Sequence, residues 1–141
     1  LRKRRGFAVF PHENHTDHPA RARALGLVRL GLVTNGTGAE QRGKIDRFGL
    51  AGYFELILIE GEVGFGKPDV RIYEKALSLL NLPPDAVRMV GDNLVWDVQA
   101  PQSLGIYSVW NDYQHMGLPA DSQITPNRII NAVSELISPL F

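Results

Sequence analysis

Short apolar runs alternate along the chain with longer segments in which apolar residues recur at helical spacing. Such runs are typical of buried strands, and the longer segments are typical of amphipathic helices. The predicted strands are Leu30–Val33, Phe54–Ile59, Val87–Val90 and Ile106–Trp110. The predicted helices are Glu40–Phe48, Asp69–Leu80, Trp96–Leu104 and a last one over residues 125–137.

Proline and glycine residues mark the ends of these helices. Two prolines follow the second helix, and Gly105 follows the third. Thr125 and Pro126 form an N-cap with proline in the first helical position, which opens the last helix. Pro101 falls inside the third helix, where proline costs roughly 3 kcal/mol. We therefore expect a kink or a late start there, with a displacement of Asp97.

The alternation of strands and helices predicts an α/β fold: a Rossmann-like, doubly wound parallel sheet with helices on both faces. In such sheets ligands bind beyond the carboxyl ends of the strands. Thr34 and Asn35 directly follow one predicted strand, and Asp92 and Asn93 follow another closely. Lys67 follows the predicted strand Phe54–Ile59 by way of a loop. These side chains are therefore expected to converge on one crevice.

Composition restricts the class of protein. The chain has 141 residues, enough for one domain, and its 15 basic and 15 acidic residues give a formal net charge of zero. We therefore expect neither nucleic acid nor a membrane surface as a partner. The chain has no cysteine, which excludes disulfides and thiolate metal sites. No signal peptide is visible, so a cytoplasmic setting is expected.

Two carboxylates beyond one predicted strand indicate a metal site. Asp92 stands at the strand tip beside a glycine, and Asp97 lies five residues on. Carboxylate oxygens hold Mg²⁺ while the ion keeps several waters, so Asp92 and Asp97 are candidate Mg²⁺ ligands. For Asp92 or Asn93 alone, a helix-capping role is the competing interpretation.

A second group of residues suits an anion. The Thr34 hydroxyl, the Asn35 amide and the Gly36 backbone N–H are candidate ligands of phosphate oxygens. An ordinary strand-to-helix turn explains the same residues equally well. Lys67 is a candidate to neutralise phosphate charge, although an isolated lysine is usually a surface residue.

Three motifs occur in order along the chain: "LVTNG", "GKPDVRIYEKAL" and "VGDNLVWDVQAPQSLG". From about Pro19 to the C-terminus the chain resembles the haloacid dehalogenase (HAD) superfamily, specifically its phosphatase-like branch. The resemblance implies a HAD-like core without its cap domain. It also implies that Thr34 and Lys67 bind the phosphoryl group, that Asp92 and Asp97 hold Mg²⁺, and that the reaction passes through an aspartyl-phosphate. "GDN" is unlike the family's dehalogenases, which need no metal.

The family's first motif, D-x-D after the first strand, is absent from the sequence. One interpretation makes residues 1–18 a linker or cap remnant, residues 19–141 the core, and the first motif a part of the gene upstream of Leu1. The other makes residues 1–18 a degenerate first strand at Phe7–Phe10, with Pro11 and Glu13 in the aspartate positions. On either interpretation, the chain as written is expected to lack the nucleophile.

The family's first strand is central in the sheet, between the strands that end at Thr34 and before Asp92. Without it, two unpaired strand edges would face each other in the middle of the sheet. We therefore expect substitute pairing from the N-terminal segment or from another chain, which leaves a homo-oligomer open.

The sequence thus favours a Mg²⁺-dependent phosphohydrolase acting on a small phosphorylated metabolite. The alternative is a non-catalytic HAD-like domain that binds Mg²⁺ and phosphate or a protein partner. A receiver-like or nucleotide-binding module is weaker, because the chain has no glycine-rich phosphate loop. His12, His15 and His18 are spaced three apart and could bind a transition metal, but a polar linker is the preferred interpretation.

Overall fold

The structure of the protein, a computed structural model, describes residues 6–11 and 29–137. A six-stranded sheet forms the centre of this part of the chain. The strands are β1 (Gly6–Pro11), β2 (Gly31–Thr34), β3 (Leu56–Ile59), β4 (Val87–Gly91), β5 (Tyr107–Asn111) and β6 (Arg128–Ile130). Across the sheet they lie in the order β3-β2-β1-β4-β5-β6. Strands β2 to β6 run in one direction, and β1 runs antiparallel to both of its neighbours.

Helical segments connect the strands, and the predicted α/β architecture is confirmed. The α-helices are α1 (Gly38–Arg47), α2 (Glu60–Val63), α3 (Val70–Leu80) and α4 (Ala100–Gln102). A π-helix covers Leu94–Gln99, and 3-10 helices cover Ala51–Tyr53, Pro84–Ala86 and Val133–Ile137. Within the described ranges no helix has both the length and the apolar character needed to cross a bilayer.

Helix α3 packs its apolar stripe against one face of the sheet. Ile72, Tyr73, Ala76 and Leu80 recur at helical spacing, and all four are buried. They join strand residues such as Met89 in the largest apolar cluster of the described chain. Burial of a large apolar side chain stabilises a fold by about 1.5–3 kcal/mol. This cluster therefore fixes α3, and the loop that precedes it, against β2 and β4.

A second apolar cluster covers the opposite face of the sheet. Successive strand residues point to opposite faces, so Val90 lies on the other side from Met89. Val90 packs there with Val109, Ile130 and Leu136. Leu136 belongs to the 3-10 helix that follows β6. The sheet is therefore covered on both faces, as the doubly wound prediction requires.

Strand β1 fills the central position between β2 and β4. Its backbone pairs Gly6 with Thr34 at one edge of the sheet and Pro11 with Val87 at the other. The N-terminal segment thus supplies the substitute pairing that was expected for the two inner strand edges. The hypothesis that placed Pro11 in an aspartate position does not hold, because β1 is antiparallel and Pro11 lies at the edge opposite Thr34. Glu13 is outside the described residues.

The prediction of a helix over residues 125–137 is wrong. Arg128–Ile130 forms β6, which pairs in parallel with β5, and a 3-10 helix follows. Ile129 and Ile130 are β-branched and alternate between exposed and fully buried, a pattern of period two that fits a strand. Pairing with β5 buries Ile130, and this gain outweighs the Thr-Pro start signal.

The helix around Pro101 is irregular, as expected, because it changes from a π-helix to an α-helix just before this proline. The π-helix runs to Gln99, and Pro101 sits in the first turn of α4, where its missing N–H is tolerated. Gly105 follows with a positive φ of 88°, a conformation that favours glycine. The expected displacement of Asp97 does not occur, because this residue is fully buried beside Lys67.

Candidate functional site

The structure brings the predicted site residues together at the carboxyl edge of the parallel strands. Thr34 ends β2, and Asp92 directly follows β4. Lys67 reaches the same edge from the loop before α3, and it contacts Asp97 in the π-helix after β4. Lys67 and Asp97, which are 30 positions apart along the chain, therefore meet at the edge of the sheet where the sequence predicted a site.

Lys67 and Asp97 form a buried ion pair. The Lys67 Nζ lies 2.9 Å from Asp97 Oδ1, and the side chains are 0% and 1% exposed. Asp97 Oδ2 accepts a hydrogen bond from the Asn93 backbone N–H at 2.9 Å. Burial raises the pKa of the Asp97 carboxyl, while the Lys67 ammonium and the backbone N–H groups of Asn93 and Asp92 offset part of that rise.

Gly91 makes room for the Asp97 carboxylate. A Cβ atom at Gly91 would lie 2.3 Å from Asp97 Cγ, which is far inside van der Waals contact. Gly91 is the last residue of β4, so the strand tip and the π-helix approach each other as closely as their backbones allow. Close packing against Asp97 therefore explains why glycine precedes Asp92 in the motif "VGDNLVWDVQAPQSLG".

Asn35 holds the backbone of Lys67. Its Nδ2 donates to the Lys67 carbonyl at 2.8 Å, and its Oδ1 accepts from the Lys67 N–H at 2.9 Å. Both polar ends of the Asn35 amide are thus engaged in positioning Lys67. Asn35 was predicted to contact substrate, and in this structure its observed contacts are to Lys67.

The Thr34 hydroxyl is held by a neighbour that the sequence did not identify. Thr34 is buried, and its Oγ1 donates to Gln41 Oε1 at 3.2 Å and makes a longer contact of 3.4 Å with the Asn35 carbonyl. Gln41 lies in the first half of α1, so this helix sets the orientation of the hydroxyl. No sequence signal distinguished Gln41 from the other polar residues of α1.

Gly36 was predicted to offer its backbone N–H to phosphate. That N–H instead donates to Glu60 Oε1 at 3.1 Å. Gly36 has a φ of 123°, which requires glycine, so the turn itself is as the sequence indicated. Glu60 directly follows β3 at the carboxyl edge. Thr34 and Asp92 were identified as candidates because they lie at the carboxyl end of a predicted strand. Glu60 lies at such an end too, so the same criterion would have identified it.

Asp92 is the candidate metal ligand with the most suitable setting. Its side chain is partly exposed at the strand tip, its backbone carbonyl accepts from Trp110 Nε1 at 3.1 Å, and its backbone N–H bonds to the Asp97 carboxylate. Among residues 29–137 no three histidine or acidic side chains cluster as a complete metal site. A single carboxylate at an edge completed by water and phosphate oxygens nevertheless fits the oxygen-rich shell of Mg²⁺.

Two predictions concern other residues. Asp97 was predicted as a second metal ligand; its observed partners are Lys67 and backbone N–H groups, so its metal role stays a prediction. The cluster of His12, His15 and His18 lies outside the described residues. Trp110 contacts Asp92 through its indole N–H, a contact that no sequence signal indicated.

Known proteins place these observations in a family. The model of the haloacid dehalogenase-like hydrolase family matches residues 8–105. A phosphoserine phosphatase of Thermus thermophilus is 38% identical over 137 residues, which cover 96% of this chain and 53% of the relative. The chain therefore spans about half the length of that relative.

Solved structures of HAD proteins have a fold similar to that of this chain. An HAD phosphatase of Thermococcus onnurineus superposes with a TM-score of 0.71 at 30% identity, covering 82% of this chain and 51% of its own. The HAD-hydrolase YfnB of Bacillus subtilis, in a form bound to magnesium, superposes with a TM-score of 0.68 at 25% identity, covering 74% and 45%. Sequence, fold and family match lead to one conclusion: the chain belongs to the haloacid dehalogenase-like hydrolase family.

Proposed function

We propose that this chain carries the phosphate-binding and metal-binding part of a Mg²⁺-dependent phosphohydrolase that acts on a small phosphorylated metabolite. The observation that carries the proposal is the buried Lys67–Asp97 pair, which ties the loop before α3 to the π-helix that follows β4. Relatives named as phosphatases support the same reaction class.

In this proposal Lys67 and Thr34 contact the phosphoryl group. The Lys67 ammonium is paired with Asp97, so a phosphate dianion would share its positive charge with that carboxylate at a site where little water screens the attraction. The Thr34 hydroxyl can turn from Gln41 to donate to a phosphoryl oxygen, since a hydroxyl rotor follows the best acceptor. Asn35 keeps Lys67 in place through the two backbone hydrogen bonds.

Asp92 is the proposed Mg²⁺ ligand, and the predicted role of Asp97 as a second ligand belongs to the same proposal. A bound Mg²⁺ would neutralise charge on the phosphate and polarise its oxygens. Asp97 holds Lys67 in its present arrangement, so its contribution to the site is positional in either case. The described residues include no assigned nucleophile.

The direction of β1 favours a second candidate function, a non-catalytic domain that binds Mg²⁺ and phosphate. The central strand presents its amino end, Gly6, at the crevice edge beside Thr34. Its carboxyl end lies beside Val87, at the opposite edge. In this topology the carboxyl end of β1 lies at the edge away from Thr34, whereas β2 and β4 both end at the edge of Thr34.

Binding and turnover experiments test the proposal. The chain is titrated with inorganic phosphate in the presence and absence of Mg²⁺, with backbone amide shifts as the readout. We expect the amides of Thr34 and Asp92 to shift, and Lys67→Met and Asp92→Asn to abolish the shifts. The controls Lys75→Met and Asp85→Asn alter exposed residues of the same charge and should keep them.

Turnover of an aryl phosphate separates the two candidates. Mg²⁺-dependent hydrolysis that Asp92→Asn abolishes would identify the phosphohydrolase. Binding without turnover is the result expected under either candidate, because neither interpretation of the N-terminal segment supplies a nucleophile, so only turnover distinguishes the two. Equal loss of binding in the Lys67 and Lys75 variants would overturn the site itself.

A further inference from the structure

Trp110 contacts the residue on which the proposed metal site depends. It lies in β5, it is 7% exposed, and its indole Nε1 donates to the backbone carbonyl of Asp92 at 3.1 Å. Buried tryptophan N–H groups usually find an acceptor, so a hydrogen bond alone has no functional meaning. The choice of acceptor, however, is specific to the first residue beyond β4.

Asp92 lies at the point where β4 ends. The last pair of the β4–β5 ladder is Gly91 with Trp110, and Asp92 directly follows it. The Trp110 indole supplies a donor to its carbonyl, and the Asp97 carboxylate accepts from its N–H. The backbone of Asp92 is therefore fixed on both sides.

We propose that Trp110 is a positioning residue for the Asp92 carboxylate: its indole N–H holds the peptide group from which this side chain reaches toward the metal. The inference rests on the proposed function, since it assumes that Asp92 binds Mg²⁺. Groups that orient a metal ligand typically change metal affinity by about 10–100-fold when they are removed.

The same geometry makes Trp110 a sensor of the metal. Mg²⁺ held by the Asp92 carboxylate would fix this side chain and shift the peptide group that carries it slightly. The hydrogen bond from the indole to that peptide group then changes in length and polarity, and the Nε1–H resonance follows. The hydrogen bonds described for Trp96 join its backbone N–H to Asn93 and its carbonyl to Tyr73, so its indole signal serves as the comparison.

A two-dimensional ¹H–¹⁵N spectrum provides the first test, on the wild-type chain. The sequence has two tryptophans, so two indole signals are expected, and Trp96→Phe and Trp110→Phe assign them. With added MgCl2 we expect the Trp110 indole signal to shift with the same apparent Kd as the backbone amide of Asn93. An unmoved Trp110 indole alongside a shifting Asn93 amide would overturn the inference and leave the metal site intact.

Substitution provides the second test. Trp110→Phe keeps an aromatic ring in the same place and removes the donor. We expect it to weaken Mg²⁺ about 10-fold while inorganic phosphate without Mg²⁺ binds with unchanged affinity. The control Trp96→Phe should retain wild-type affinity for Mg²⁺.

The outcomes separate the inference from the proposed function. Unchanged Mg²⁺ affinity in Trp110→Phe, or equal weakening of Mg²⁺ and of metal-free phosphate, contradicts a specific positioning role. If Mg²⁺ moves neither the Asn93 amide nor either indole, the proposed metal site fails first, and the inference fails with it. Should Trp110→Phe not fold, the wild-type titration decides alone.

Discussion

The side-chain amide of Asn35 binds both backbone groups of Lys67, accepting from its N–H at 2.9 Å and donating to its carbonyl at 2.8 Å. The amide thus forms the two hydrogen bonds that a neighbouring strand would otherwise form with Lys67. It thereby joins the end of β2 to the loop before α3. Gly66 allows this close approach, since a Cβ there would lie 2.6 Å from Asn35 Oδ1. The position of the Lys67 ammonium therefore depends on a residue that carries no charge.

Replacing Asn35 is expected to loosen Lys67. Asn35→Ala removes both hydrogen bonds and leaves two backbone groups to find new partners, at a cost of about 1–3 kcal/mol in the free energy of unfolding. Phosphate affinity should fall in the same variant, because the ammonium is no longer held in place. Urea denaturation and phosphate titration measure the two effects.

Two further variants sharpen the Asn35 test. Asn35→Asp retains an acceptor for the Lys67 N–H but sets a carboxylate against the Lys67 carbonyl, so it should destabilise the fold as well. Gln123→Ala removes an amide from an exposed position and should change neither quantity. A wild-type phosphate affinity in Asn35→Ala would refute the dependence of Lys67 on this clamp.

The buried pair of Lys67 and Asp97 is expected to be much more sensitive to one substitution than to two. Lys67→Met leaves a carboxylate uncompensated at a site that is 1% exposed, which typically costs about 3–5 kcal/mol. In Lys67→Met/Asp97→Leu both charges are gone, so the double variant should be more stable than the sum of the single changes predicts. A double-mutant cycle by chemical denaturation gives this coupling energy.

An exposed pair serves as the matched control for that cycle. Arg71 Nη2 lies 2.7 Å from Asp69 Oδ2, closer than the buried pair, but the two side chains are 64% and 35% exposed. Arg71→Met should leave the free energy of unfolding nearly unchanged, because water already solvates the charges. Comparable destabilisation by Lys67→Met and Arg71→Met would show that burial is not the cause.

Two glycines are predicted to respond in opposite directions to the same substitution. Gly91→Ala places a Cβ atom 2.3 Å from Asp97 Cγ and should displace that carboxylate from Lys67, destabilising the fold by about 1–3 kcal/mol. Gly43 lies inside α1, and no atom lies within 4 Å of an added Cβ there. Gly43→Ala should therefore stabilise the fold by about 0.5–1 kcal/mol.

Thermal denaturation of the two alanine variants measures both signs. A spectrum that reports the Lys67–Asp97 contact, such as the amide shift of Asn93, should change in Gly91→Ala and stay constant in Gly43→Ala. A stable Gly91→Ala variant with an unchanged Asn93 signal would mean that the π-helix can move away from β4 without loss.

Local pattern was sufficient to locate the elements that build the crevice. The apolar runs before Thr34 and Asp92 become β2 and β4, because a buried strand needs little more than apolar residues of the right length. The carboxyl-edge rule then brought Thr34, Lys67 and Asp92 together without any knowledge of distances. These parts of the prediction depend on interactions within one element or between neighbours.

The parts that failed depend on partners far away in the chain. The direction of β1 depends on its pairing with β2 and β4. The sequence pattern of a strand is the same in both directions, so it could not predict the antiparallel pairing. Ile130 became part of a strand because β5 offered an open edge. The contact of the Gly36 N–H with Glu60 is likewise visible only in the fold, and phosphate binding by Gly36 stays a prediction.

Tyr73 is predicted to make the stability of the fold sensitive to alkaline pH. Its side chain is 2% exposed, its hydroxyl donates to the Trp96 carbonyl, and burial raises the pKa of the phenol, with a further contribution from the negative charge of Asp97. The folded chain therefore keeps Tyr73 protonated at a pH where the unfolded chain ionises it. Stability from this group is complete below the ordinary tyrosine pKa of about 10 and is lost as pH rises above it.

Tyr73→Phe removes this pH dependence. Near neutral pH it should cost about 1 kcal/mol, because the Trp96 carbonyl loses its donor. Above pH ~10 the wild-type free energy of unfolding should fall more steeply than that of the variant, by up to about 1.4 kcal/mol for each pH unit. The difference between the two curves cancels the titration of lysines, and Tyr113→Phe, at an exposed position, should follow the wild type. Parallel curves for wild type and Tyr73→Phe from pH ~8 to ~11 would show that Tyr73 ionises as freely in the folded chain as in the unfolded one.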